Sequence, residues 1–157
     1  MALIKPVDPD LFIISSPFGQ RINPITKLPQ FHNGIDIAVP KGTPVYAIDD
    51  GVVTKVNIDA ISGLYIVIDH GSNLVSKYMH LQRSLVKPGD KVKKGDDIAL
   101  SGDSGKVTAP HLHFEIFKNA KPVDPSKESL YAVNYSRILN GFLVAIPLYI
   151  FFLKKRL

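Results

Sequence analysis

The segment VTAPHLHFEI, residues 107–116, carries two histidines one residue apart in an otherwise apolar run. Its composition is typical of a β-strand, in which successive side chains point to opposite faces of the sheet. This alternation places His111, His113 and Glu115 on one face. The opposite face carries three apolar side chains, those of Leu112, Phe114 and Ile116. We expect the apolar face to join a core, while the two imidazoles, about 6.6 Å apart along the strand, can reach one small object above the sheet.

The rest of the chain up to residue 128 has the composition of a β protein. Twelve prolines and eleven glycines in 157 residues suit a turn-rich architecture, and no stretch in this part shows a helical period. The predicted strands outside the histidine segment are 44–48, 52–56, 64–69, 74–81, 88–92 and 94–100. We expect the first two of these to form a hairpin through the turn Asp49-Asp50-Gly51, and the next two to form another. The sequence therefore predicts an all-β fold.

The charge of the chain is concentrated at its C-terminal end. The formal net charge is +5, but all 14 acidic residues lie within 1–128, and four of the 19 basic residues lie in 129–157 with no acidic residue. The main body is therefore nearly neutral, which argues against nucleic-acid binding. Because the chain has no cysteine, disulfide bonds and thiolate metal sites are excluded.

The histidines and one aspartate form a candidate metal-binding pattern. His32 and Asp36 share a face but would lie about 13 Å apart in a straight strand, too far to bind one ion. The pair Asn33-Gly34 between them can supply a bend, and Gly34 would leave space free of side chain beside a metal. Each histidine taken alone also fits a polar residue on a half-buried strand. Two nitrogen ligands and one carboxylate suit zinc with an open fourth position, and further histidines could act on water there.

Two other residues of the pattern have structural alternatives. His70 falls in the turn HGSN, residues 70–73, and is expected to be a structural turn residue. Glu115 shares the face of His111 and His113. It could orient a ligand histidine, or it could be a solvated strand residue.

Four segments together resemble the lysostaphin-type (LytM-like) zinc metalloendopeptidases, a family of peptidoglycan hydrolases. They are SSPFGQRINPITKLPQFHNGIDIAVPKGTPVYAIDDGVV (15–53), YMHL (78–81), VKPGDKVKKGDDIALSGDSG (86–105) and TAPHLHFEI (108–116). The resemblance extends from about Ser15 to Pro125. It implies a compact antiparallel β-sheet sandwich of the duplicated hybrid motif type, with a groove over the metal.

The resemblance also implies roles for five residues. His32, Asp36 and His113 are implied to bind one Zn²⁺ per chain, and His80 and His111 to form the catalytic pair. The implied reaction is zinc-dependent hydrolysis of peptide bonds in bacterial peptidoglycan, in stem peptides or cross-bridges. Lysostaphin-like members often have a tyrosine just upstream of the first ligand histidine, but residues 22–31 contain none. A tyrosine from elsewhere in the chain, such as Tyr65 or Tyr78, could take that place.

The chain divides into three predicted parts: an N-terminal extension (1–14), the peptidase domain (15–128) and a hydrophobic tail (129–157). The tail contains sixteen residues, ILNGFLVAIPLYIFFL (138–153), followed by Lys154-Lys155-Arg156. As a helix this stretch would be about 24 Å long, against a hydrocarbon core of about 30 Å. We expect it to insert into a membrane; packing of a C-terminal hydrophobic helix against a hydrophobic protein neighbour is the alternative.

The location of the substrate creates a further expectation. Peptidoglycan lies outside the membrane, yet the N-terminal residues show no secretion signal. The protein is therefore expected in a cell envelope, anchored by its tail, or in a bacteriophage, either within the virion or released at lysis.

Two rival functions follow from the same residues. A catalytically silent cell-wall binding or regulatory module of the same fold would lack ligands, whereas all five residues are present here. A lipoyl- or biotin-carrier domain is suggested by VKPGDKVKKGDDIAL (86–100), but the chain has no lysine in the strings MKM or DKA, and such a carrier does not need two histidines in HLH (111–113).

Overall fold

The structure, a computed structural model, describes residues 3–128 and 130–131. Strands dominate these residues, and the helical content is two 3₁₀ helices, Pro9–Leu11 and Pro125–Lys127. The strands in chain order are β1 (Leu3–Ile4), β2 (Ile14–Ser16), β3 (Gly19–Ile22), β4 (Pro29–His32), β5 (Ile35–Ile37), β6 (Pro44–Tyr46), β7 (Gly51–Asp59), β8 (Gly63–Asp69), β9 (Leu74–Ser84), β10 (Lys91–Val92), β11 (Asp97–Ser101), β12 (Leu112–Lys118), β13 (Lys121–Val123) and β14 (Leu130–Tyr131).

One large antiparallel sheet organises the domain. Its strands follow the order β10-β7-β8-β9-β12-β5-β2, with β11 pairing with both β9 and β6, and β13 with β12. The hairpin β3–β4 forms a separate two-stranded sheet, and β1 pairs in parallel with β14. The predicted all-β, antiparallel fold is confirmed.

The strand that carries His113, β12, lies between β9 and β5 in the interior of this sheet. As the alternation predicts, the side chains of Leu112, Phe114 and Ile116 are fully buried. They belong to one core cluster with residues of the neighbouring strands, among them Ile35 and Ile37 of β5. Burying each such side chain contributes about 1.5–3 kcal/mol relative to leaving it exposed. Strand β12 begins at Leu112, so Val107 lies in the preceding loop rather than in the strand, and His111 precedes the strand and forms an isolated β-bridge with Gly102.

One of the two predicted hairpins is confirmed and the other is wrong. Strands β8 and β9 pair in antiparallel fashion across the turn at 70–73. By contrast, β6 pairs with β11, and β7 pairs with β8 and β10. The reason lies in the supposed turn, where the buried Asp49 carboxylate pairs with Lys94 at 3.0 Å and Asp50 accepts from the Lys94 backbone at 2.9 Å. These acidic residues therefore fix the 49–51 segment to another turn instead of closing a hairpin.

The predicted N-terminal extension takes part in the core of the domain. Leu3 and Val7 of the predicted N-terminal extension are buried in the core cluster. Within the described residues, no helix is long and apolar enough to cross a membrane. The hydrophobic stretch 138–153 and its predicted C-terminal helix lie outside the described residues. The three-part division of the chain stays a prediction.

Candidate metal centre and active site

Three of the predicted site residues meet where β4, β5 and β12 come together. His32 ends β4, Asp36 lies in β5, and His113 is paired directly with Asp36 across the sheet. The Oδ1 atom of Asp36 lies 2.7 Å from His113 Nδ1 and 3.2 Å from His32 Nε2. The two ring nitrogens lie 3.0 Å apart. A break between β4 and β5 at Asn33-Gly34 supplies the bend that the sequence predicted.

The hydrogen bonds on the far side of each imidazole assign its tautomer. His32 Nδ1 donates to the Pro17 carbonyl at 2.7 Å, and His113 Nε2 donates to Glu115 Oε1 at 3.1 Å. In the neutral imidazole, the opposite nitrogen then carries a lone pair. Three acceptor atoms therefore face one another, those of His32, Asp36 and His113, and such a group requires a proton or a cation between them.

The donor set fits a zinc ion. Zinc takes imidazole nitrogen and carboxylate oxygen at about 2.0–2.1 Å, and a tetrahedral arrangement of such bonds places ligand atoms about 3.3 Å apart. The three observed separations, 2.7, 3.0 and 3.2 Å, are close to that spacing. All three residues are buried, so the protein fixes their orientation.

The electrostatics of the protein without a metal show how the three groups interact. Burial raises the pKa of Asp36, but hydrogen bonds from His113 and His32 outweigh it and hold the pKa well below its usual range. Burial lowers the pKa of His113, whereas its bonds to Asp36 and Glu115 act in the opposite direction and leave the pKa raised. A metal that binds here would displace the proton shared by these three groups, because histidine ligands bind metal in their neutral form.

His80 enters the site through a β-bulge. The register between β8 and β9 shifts between Leu64 and Ile66, and His80 has a left-handed backbone with φ of 62°. Strict alternation would place His80 on the same face as Tyr78, which is fully buried in the core. The bulge instead turns His80 toward His111, and the centroids of the two rings lie 4.7 Å apart.

The orientation of His80 is fixed by the loop before β12. Its Nδ1 donates to the Ser104 carbonyl at 2.9 Å, which leaves Nε2 with the lone pair. Burial lowers its pKa to about 4, with the Ser104 bond opposing that shift. His80 is therefore neutral at neutral pH and can accept a proton.

His111 lies at the mouth of the same site. Its Nδ1 donates to the Ala109 carbonyl at 2.8 Å, and its Nε2 lies 3.6 Å from Asp36 Oδ1. Its ring is less buried than those of His32 and His113, in keeping with a position that a substrate can reach. The structure thus brings together all five predicted site residues.

A groove of about 480 Å³ opens over four of these residues, Asp36, His80, His111 and His113, whereas His32 does not line it. Its walls come from the β3–β4 hairpin, with Ile22 and Ile25, and from the loop before β12, with Lys106 and Val107. None of the described residues that line it is a tyrosine. Tyr78 is buried with its hydroxyl against the Ile48 backbone, so it cannot serve as an oxyanion donor.

Three further residues take roles that differ from, or add to, the sequence interpretation. Glu115 is buried and bonded to His113, so it orients a candidate ligand rather than being solvated. A side chain at Gly34 would clash with the Phe114 carbonyl, so close approach of β12, not free space beside a metal, explains this glycine. His70 lies outside the groove, with Nδ1 on the Asp50 carbonyl and Nε2 2.7 Å from Ser76 Oγ.

Sequence reasoning missed Arg21. Its Nη1 lies 2.9 Å from Asp36 Oδ2. No spacing in the sequence signals this contact, because it depends on the pairing of β3 with β4 beside β5.

The sequence is similar to those of known proteins. The sequence model described as peptidase family M23 matches residues 30–125. The chain is 44% identical over 125 residues to the peptidoglycan DD-endopeptidase ShyA of Vibrio cholerae, a match that covers 80% of this chain and 29% of that protein. The chain thus spans less than a third of the length of this curated relative.

Solved structures show the same fold. A zinc-containing peptidase from Vibrio cholerae matches with a TM-score of 0.77 and 43% identity, over 83% of this chain and 41% of that chain. The catalytic domain of lysostaphin from Staphylococcus simulans matches with a TM-score of 0.67 and 32% identity, over 74% of this chain and 91% of that chain.

Proposed function

The chain belongs to peptidase family M23, and from this premise we propose that it is a zinc-dependent endopeptidase that hydrolyses peptide bonds in bacterial peptidoglycan. The observation that carries the proposal is the trio of facing acceptor atoms on His32, Asp36 and His113, with the neutral imidazole of His80 beside it. The similarity to a Vibrio cholerae peptidase that contains zinc supports zinc as the metal.

The roles of the residues follow from their free atoms. A zinc ion bound by His32, Asp36 and His113 supplies Lewis acidity, which polarises a carbonyl group and makes water more acidic. His80 Nε2 accepts the proton of the attacking water, because its Nδ1 is occupied by the Ser104 carbonyl, and it returns this proton to the nitrogen of the leaving amine when the C–N bond breaks. His111 presents Nε2 to the same space and, when protonated there, donates to the developing oxyanion. The groove walls hold the peptide in place.

The bond that is cut is proposed from the name of the relative. ShyA is a DD-endopeptidase, which favours a DD cross-link over a glycine bridge as the substrate of this chain.

The test uses the full chain, loaded with zinc, on purified peptidoglycan sacculi of several bacterial types. Released muropeptides are identified by mass spectrometry, with a chelator-treated sample and the His111→Ala variant as controls. We expect chelator-sensitive products that the variant does not release, and their masses identify the bond. No release from any sacculus by protein that holds zinc would favour the alternative, a catalytically silent binding or regulatory module.

The route to the substrate remains a proposal from the sequence. The apolar stretch 138–153, followed by a basic cluster, favours either an anchor in the cell envelope or delivery by a bacteriophage. Detection of the chain in purified virions would support phage delivery, and its presence in the membrane fraction of uninfected cells would support the anchor.

A further inference from the structure

The segment from β2 to β3, residues 14–22, touches both strands that carry the first two candidate ligands. Ser16 of β2 is paired with Asp36 of β5, and Gly19 of β3 is paired with His32 of β4. This segment precedes residues 30–125, which match the M23 sequence model. It therefore contributes to the site from outside the matched region.

The contact that reaches furthest into the site is made by Arg21. The two carboxylate oxygens of Asp36 have different partners: Oδ1 faces His32 and His113, whereas Oδ2 accepts from Arg21 Nη1 at 2.9 Å. One carboxylate oxygen of Asp36 thereby faces the candidate metal position, and the other faces the guanidinium of Arg21.

The guanidinium itself is held in place. Arg21 Nη1 also donates to Ser16 Oγ at 2.6 Å, and the arginine side chain is 20% exposed. Its Nε is buried and has no hydrogen-bond partner among the described residues. Leaving a buried donor unpaired is unfavourable, so Nε does not stabilise this position of the guanidinium, whereas the two hydrogen bonds of Nη1 do.

We propose that Arg21 is a positioning residue that occupies Oδ2 of Asp36 and so restricts this carboxylate to one-oxygen coordination of the metal. A carboxylate that is free on both sides can bind a metal through both oxygens and fill the position that a catalytic zinc site keeps open. Binding through both oxygens requires the carboxylate to rotate, and a charge-assisted hydrogen bond from Arg21 to Oδ2 opposes this rotation. This inference rests on the proposed zinc site.

The test is the Arg21→Gln variant of the full chain, with cobalt(II) in place of zinc as a spectroscopic probe. We expect the visible absorption of the cobalt protein to weaken and shift, as it does when four-coordinate cobalt becomes five-coordinate. With zinc, we expect kcat on a peptidoglycan fragment to fall on the order of 10- to 100-fold with KM little changed, the size of effect typical of residues that support metal ligands.

Lys106→Gln is the matched control for the cobalt spectrum alone, because it removes one positive charge from the same groove, and Lys106 forms no hydrogen bond or ion pair with Asp36 in the described part of the chain. Its cobalt spectrum should equal that of the wild type. An Arg21→Gln variant with the wild-type cobalt spectrum, whose KM rises while kcat is retained, would overturn the proposal in favour of substrate binding. A variant with lowered Tm and an unchanged spectrum would overturn it in favour of a structural role.

If Arg21→Gln does not fold, a measurement on the wild type can show whether Asp36 binds the metal through one oxygen or two. X-ray absorption and a crystal structure of the zinc-loaded chain should show one Asp36 oxygen on the metal and the other on Arg21; two oxygens on the metal would refute the inference. Failure of the proposed function is distinguishable, since a chain that binds metal in this way and digests no peptidoglycan refutes the function alone.

Discussion

His80 combines a left-handed backbone with a side chain that we assign to proton transfer. Its φ of 62° lies in a region that residues other than glycine adopt at a cost, and its backbone N–H donates to the Ser62 carbonyl at 2.9 Å. Conformations of this kind cluster at functional sites, where surrounding contacts hold them. In this protein the hydrogen bonds from His80 to the carbonyl groups of Ser62 and Ser104 hold the left-handed backbone in place.

Replacing His80 by asparagine should separate catalysis from folding. Asparagine tolerates the left-handed region better than most residues, so we expect His80→Asn to keep its zinc content and Tm. Loss of the proton acceptor should lower kcat about 10²- to 10⁴-fold. His80→Ala should lose the same activity and in addition about 1 kcal/mol of unfolding free energy, measured by urea titration. Near-normal hydrolysis by His80→Asn would contradict the assignment.

His70 should make the stability of the protein depend on pH. Burial lowers its pKa below the ordinary value of 6.5, and its bond to the Asp50 carbonyl opposes this shift. As the pH falls below 6.5, the unfolded chain therefore takes up a proton at His70 before the folded chain does, and stability is lost.

The expected result is a larger fall in unfolding free energy between pH 7 and pH 5 for the wild type than for His70→Gln. One proton contributes at most about 1.4 kcal/mol per pH unit. Urea titrations of both proteins at the two pH values measure the difference, and equal falls would show that His70 does not carry the effect.

At the scale of elements, the turn between β4 and β5 sets the distance between His32 and Asp36. Gly34 lies in this turn, where an added Cβ would clash with the Phe114 carbonyl and lie 2.8 Å from Glu115 Cγ. The carbonyl belongs to the backbone of the central strand and cannot move without disturbing the sheet.

Gly34→Ala should therefore displace the β4–β5 turn from β12. We expect an unfolding free energy lowered by about 1–3 kcal/mol, as for overpacked sites, together with weaker zinc binding in a chelator competition. Gly71→Ala is the control, because Gly71 has open space around it and only its φ of +76° opposes a side chain. It should lose about 1 kcal/mol and keep its zinc affinity. Equal zinc affinity in the two variants would mean that the turn does not position the ligands.

The same elements show which parts of the fold the sequence could predict. Alternation in β12 correctly separated the core residues from His113 and Glu115, because a strand with one wholly apolar face that packs in the core has a strongly specified register. The alternation rule fails at His80, since the bulge in β9 has no marker such as glycine. The contact of Arg21 with Asp36 depends on strand pairing between distant segments, which a single sequence does not encode locally.

At the scale of the whole molecule, the candidate metal centre joins parts of the chain that are far apart in sequence. Asp36 and His113 are 77 residues apart and belong to adjacent interior strands of the large sheet, while His32 ends a hairpin outside it. A bound metal would therefore link the large sheet to the β3–β4 hairpin. In the unfolded chain these three ligands are not assembled, so the metal binds the folded state preferentially.

Zinc should consequently raise the Tm of the whole domain. A free zinc concentration 100 times the Kd stabilises the folded state by about 2.7 kcal/mol, which for a chain of this size corresponds to a shift on the order of 5–10 °C. Differential scanning calorimetry with zinc and with chelator measures it. His113→Ala removes the ligand from the central strand and should lose the zinc-dependent shift; because its Tm is compared with and without zinc, any change in its metal-free stability cancels. A wild-type Tm that is the same with zinc and with chelator would rule out a metal that holds the hairpin to the sheet.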